Sequence, residues 1–84
     1  MFPMRFPDDT HESLARVIDA AFASARRVPR LEILTRARTA DLPAEVLDLL
    51  DLLPPGAYTR QRLCDQLNSA ITGHGWGSTL GTFE

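Results

Sequence analysis

Lysine is absent from this 84-residue chain, and cysteine, tryptophan and tyrosine occur once each. The lone Cys64 excludes an internal disulfide and any zinc site built from several thiolates. Only His11 and His74 represent histidine, and with Cys64 and Asp65 they form no compact ligand motif, so neither metal nor cofactor is expected. No apolar run approaches the length of a membrane span. The opening Met1-Phe2-Pro3-Met4-Arg5-Phe6-Pro7 is too short and too broken by proline for a signal peptide, so cytoplasmic residence is expected.

What is present is a modest apolar content of 44%, enough for one small core. Burial and conformational entropy nearly cancel at this size, so a partner that completes the core, such as a second copy, is a reasonable expectation. Charge is uneven. Residues 1–40 carry +2 and residues 41–84 carry −4, an asymmetry that can orient a partner or pair two copies head to tail.

Asp9 followed by Glu12 fits a capping box, with Thr10 as the competing cap. Leu14, Val17, Ile18, Ala21, Phe22 and Ala25 then repeat at helical spacing, predicting a long helix from about 10 to 27. Pro29 is placed to open a second, shorter helix with Leu31, Leu34 and Ala37 inward and Ile33 on a flank. Arg36 and Arg38 lie late in it, where positive charge suits the carbonyl end. A third helix follows Pro43 and runs to about Leu53, burying Val46, Leu49, Leu50 and Leu53. Pro54-Pro55-Gly56 stops it. Tyr58 precedes the cap residue Thr59, and Leu63, Leu67 and Ala70 or Ile71 form the stripe of a fourth helix. Residues 72–84 hold four glycines around Trp76, Leu80 and Phe83. Gly73 is suited to end the fourth helix, and the aromatic tail either folds back on the core or docks on another chain.

The expected fold is therefore all-α: one domain over residues 1–84, with an arm (1–8), a helical core (9–71) and a glycine-rich tail (72–84). The core is an orthogonal bundle of one long and three shorter helices. Pro29-Arg30-Leu31-Glu32 through Ala37, Leu42-Pro43-Ala44-Glu45-Val46-Leu47, Leu50, and Leu53-Pro54-Pro55-Gly56-Ala57-Tyr58 resemble the small bacterial domain-of-unknown-function family 2795 over about residues 29–71. That resemblance implies an all-helical module and supplies no active residue.

No spacing brings Cys64, His11 or His74 together as nucleophile and base, so no enzymatic activity is expected. The preferred function is a protein-binding or regulatory module. Its candidate contacts are an arginine patch (Arg26, Arg27, Arg30) and the tail residues His74, Trp76, Leu80 and Phe83, because tryptophan and arginine dominate interface hot spots. The partner is another protein or a second copy of the chain; no membrane is involved. The alternative is a helix-turn-helix-like nucleic-acid binder. In that case Arg60, Gln61 and Arg62 open the recognition helix and Arg36 and Arg38 contact phosphates.

Overall fold

A computed structural model describes residues 6, 7 and 9–84. The expected arm falls mostly outside them; of its two phenylalanines only Phe6 is described, half-buried with its ring 5.2 Å from that of Trp76. Four helices of unequal length share one core: α1 (Thr10–Ala21), α2 (Arg30–Thr39), α3 (Ala44–Asp51) and α4 (Arg60–Gly73). Consecutive helices pack on one another. The longest is α4, with 14 residues, and not the first. Helix α1 ends at Ala21, short of the expected 27. Beyond Phe22 no residue faces the core until Val28, and Ala25 is exposed. Asp9 stands at the N-cap position of α1, but its side chain makes no capping bond, so the expected capping box does not form.

The two loops that flank α2 and α3 pair with each other. Residues Val28–Pro29 (β1) and Ala57–Tyr58 (β2) form a two-residue antiparallel ribbon, Val28 opposite Tyr58 and Pro29 opposite Ala57. Pro29 therefore extends into the ribbon and caps α2 rather than opening it, and the Arg30 amide donates to Gly56 O at 2.9 Å. Two residues cannot show an alternation, so the sequence carries no strand signal there. Tyr58 is buried, and its hydroxyl donates to the carbonyl of Pro54.

The ribbon sets the rotation of α2. Arg30, Ile33, Leu34 and Ala37 share one face at helical spacing, the last three are buried, and Arg30 turns onto the end of α3. Leu31, expected inward, lies off that face and is 67% exposed. Helix α3 buries Val46, Leu49, Leu50 and, just past its end, Leu53, as its pattern predicts. Helix α4 buries Leu63, Cys64, Leu67 and Ile71, and the Thr59 hydroxyl caps it by accepting from Arg62 N at 3.2 Å.

Two helix ends close in the same way. After α2, Asp41 N donates to Arg38 O and Leu42 N to Ala37 O, with Asp41 left-handed at φ 58°. After α4, Gly75 N donates to Thr72 O and Trp76 N to Ile71 O, with Gly75 at φ 74°. Both are Schellman closures, in which an apolar residue folds back on the last turn. Gly75, not Gly73, is thus the residue that ends α4 through its conformation.

Candidate functional site

The tail folds back on its own chain. Leu80 and Phe83 are core residues. Asn68 grips the backbone of Phe83 with both ends of its amide: Nδ2 donates to Phe83 O and Oδ1 accepts from Phe83 N, each at 2.7 Å. The His11 ring stacks on Phe83 with centroids 4.3 Å apart, and its Nδ1 lies 2.9 Å from Leu80 O. Leu80 and Phe83 therefore leave the set of exposed contact residues. The reason is arithmetic of surface: two large apolar groups near an open core gain more by closing it than by facing water. Trp76 is half-buried as the residue that completes the Schellman closure, against Phe6 on one side and His74 at 4.9 Å on another. His74 is exposed, its Nδ1 2.8 Å from Ala70 O.

The arginine patch divides. Arg26 and Arg27 are exposed in the loop after α1. Arg30 is not part of a free surface. Its Nη1 donates to Asp51 O at 2.7 Å and Leu53 O at 3.0 Å and lies 3.8 Å from the Asp51 carboxylate. A guanidinium at a helix C-terminus satisfies carbonyls that have no partner within the helix. Arg30 is thus a clamp between α2 and α3.

Of the residues proposed to read nucleic acid, Gln61, Arg62 and Arg38 are exposed. Arg60 is engaged, with Nη2 2.6 Å from Asp19 Oδ1 and Nε donating to Glu84 O at 3.1 Å. Arg36 pairs with Glu32 at 3.2 Å. Asp65 lies in the same shallow surface hollow as Gln61 and Arg62. Eight residues separate α3 from α4, twice the usual helix-turn-helix connection of about 3–4.

Cys64 is buried beside Leu63 and Leu67, and that burial pushes its thiol above the ordinary range, partly offset by nearby Arg60. Among the described residues no group of three His, Cys, Asp or Glu side chains is placed to hold a metal ion, and no helix is long and apolar enough to cross a membrane.

One surface escaped the sequence reading. Between α1 and α2 runs an open groove of about 530 Å³ lined by Ser13, Arg16, Val17 and Ala20 from one side and Thr35, Arg36, Thr39 and Ala40 from the other. Its lining is mostly apolar, and two arginines are its only charged members. The hydroxyls of Thr35 and Thr39 donate to Leu31 O and Thr35 O, one turn back, so their methyl groups and hydroxyl lone pairs are left for a visitor. Leu31 continues the Thr35 and Thr39 row by one further turn. The signal available was the α2 pattern itself: once Arg30 is assigned inward, Leu31, Thr35 and Thr39 must fall together on the outer side. Among the described residues the other large exposed apolar side chain is Leu52, also 67% exposed, just past the end of α3.

Comparisons with protein-family models, with curated proteins and with solved structures find no match to this chain. The resemblance to the domain-of-unknown-function family 2795 is thereby corrected. The residues that carried it serve the fold: Leu50, Leu53 and Tyr58 fill the core and Pro43 precedes α3.

Proposed function

We propose that this is a non-enzymatic protein-binding module whose contact surface is the α1–α2 groove. The observation that carries the reading is the combination in one place of apolar lining residues (Val17, Ala20, Ala40) and two arginines, Arg16 and Arg36. Interface centres combine apolar depth with arginine, whose fork of donors meets carboxylates. The preferred partner segment therefore offers an apolar side chain flanked by acids. The tail contributes indirectly, by closing the core beneath α1 and α4, and Arg26 and Arg27 lie on the exposed loop that leaves α1.

The nucleic-acid alternative has less support, since Arg60 is held by Asp19 and the Glu84 carbonyl, Asp65 lies beside Gln61 and Arg62, and the net charge is −2. Site-specific photo-crosslinking separates the readings. Benzoylphenylalanine in place of Thr35, irradiated in lysate of the native cell, yields a discrete protein adduct, while the same probe in place of Gln61 on α4 does not. Equal labelling from both positions, or none from position 35, contradicts the groove.

A further inference from the structure

The outer side of α3 is the chemical complement of the groove. Glu45, Asp48, Asp51 and Leu52 belong to one short helix and its first following residue, without a basic residue among them. At 100° per residue, Glu45, Asp48 and Leu52 fall within about 60° of one another. Asp48 and Leu52 are exposed and Glu45 is partly so. Asp48 has no ion-pair partner among the described residues, and Asp51 holds only the long contact to Arg30. The result is a ridge with one protruding leucine and carboxylates on either side of it. The groove offers a small-residue floor able to admit a leucine, with a guanidinium from each wall. Glu12 and Glu32, which pair with Arg16 and Arg36 along their own helices, are not part of the lining. These pairs are solvent-exposed and only weakly stabilising, so each arginine is free to turn to an incoming acid.

We infer that the groove takes the α3 ridge of a second copy of this chain: Leu52 of one copy seats on Val17, Ala20 and Ala40 of the next, and Arg16 and Arg36 meet Asp48 and its neighbouring acids. The inference rests on the groove being a protein-binding surface. Because groove and ridge are different surfaces, the contact is heterologous, and each copy can both give a ridge and receive one. Leu52 gains cover, and the charge asymmetry along the chain is used in register.

The test is a mixing experiment read by sedimentation equilibrium at low salt. The unaltered chain shows a mass that rises above the monomer with concentration, and added salt reduces it. Arg16→Glu with Arg36→Glu disables the groove, and Leu52→Asp disables the ridge. All three positions are exposed, so folding is retained, which circular dichroism checks. Each variant alone associates at least tenfold more weakly than the unaltered chain. An equimolar mixture of the two recovers a dimer and nothing larger, because one intact groove and one intact ridge remain. A monomer at every concentration, undiminished association of either variant, or a mixture that stays monomeric overturns the inference. The two readings fail separately. If position 35 crosslinks to a different protein while the purified chain is monomeric, the groove stands and the second copy falls; with no adduct from position 35, the groove itself falls.

Discussion

Replacing Asn68 by alanine removes the side chain that holds the backbone of Phe83 at both its N–H and its C=O, and its cost can be worked from the geometry. Two part-buried hydrogen bonds of 2.7 Å are lost. A bond of this kind contributes about 1 kcal/mol net, so the pair accounts for about 2 kcal/mol. The figure counts the two bonds alone, with no added penalty for leaving the Phe83 N–H and C=O unpaired. An upper limit comes from Phe83→Ala, which also empties the space against His11 and costs about 3–5 kcal/mol. Asn68→Ala should therefore lower the melting temperature by roughly 8–16 °C, since 1 kcal/mol corresponds to about 4–8 °C in a domain of this size. Asn68→Asp keeps the acceptor for Phe83 N and loses the donor to Phe83 O, so it is destabilised at neutral pH and recovers part of the loss on acidification, when the protonated acid can donate again. Urea titrations of the three variants followed by Trp76 emission measure these differences. A loss below about 0.5 kcal/mol for Asn68→Ala, the level of an ordinary surface change, would refute the claim that the tail is fastened to α4.

Arg30→Ala should cost about 1–2 kcal/mol, because two carbonyls at the end of α3 lose a charged donor, whereas Arg26→Ala stays within about 0.5 kcal/mol; equal denaturation midpoints would contradict the clamp. Gly81→Ala should cost about 1–2 kcal/mol: φ is +83° and an added Cβ would stand 3.1 Å from His11 Nδ1, beside the ring that stacks on Phe83. Cys64 gives the pH dependence. Burial raises its thiol above the ordinary value of about 8.5, so the folded state holds that proton more tightly than the unfolded chain. That contribution is complete below the unfolded thiol range and is lost as pH rises through the raised value. Urea midpoints measured up to about pH 10 should fall in the alkaline limb and fall less steeply in Cys64→Ala.

The helical face of α3 was readable because Val46, Leu49, Leu50 and Leu53 repeat without a competitor, and α4 was readable for the same reason with Leu63 and Leu67. The rotation of α2 was not. Its position depends on Pro29 pairing with Ala57, a contact between residues 28 apart that no local periodicity reports. Once Arg30 turns inward to α3, Leu31 must turn outward, and the contact surface moves with it. The tail shows the opposite limit. The hydrophobicity of Leu80 and Phe83 is the same whether they serve a partner or their own core. The deciding partner is Asn68, fifteen residues earlier than Phe83 and unremarkable in sequence. Arg60 illustrates a related point: an arginine's availability depends on which acid folds beside it, and Asp19 lies 41 residues from Arg60.

Amide chemical shifts of the isotopically labelled chain, followed from dilute to concentrated solution, test the assignment of surfaces most directly. The account predicts movement at Ser13, Val17, Ala20, Thr35, Arg36 and Thr39 together with Asp48 and Leu52, while Leu80 and Phe83 stay fixed and Phe83 remains protected from exchange. Concentration-dependent shifts centred on Trp76, Leu80 and Phe83, with the groove silent, would contradict it.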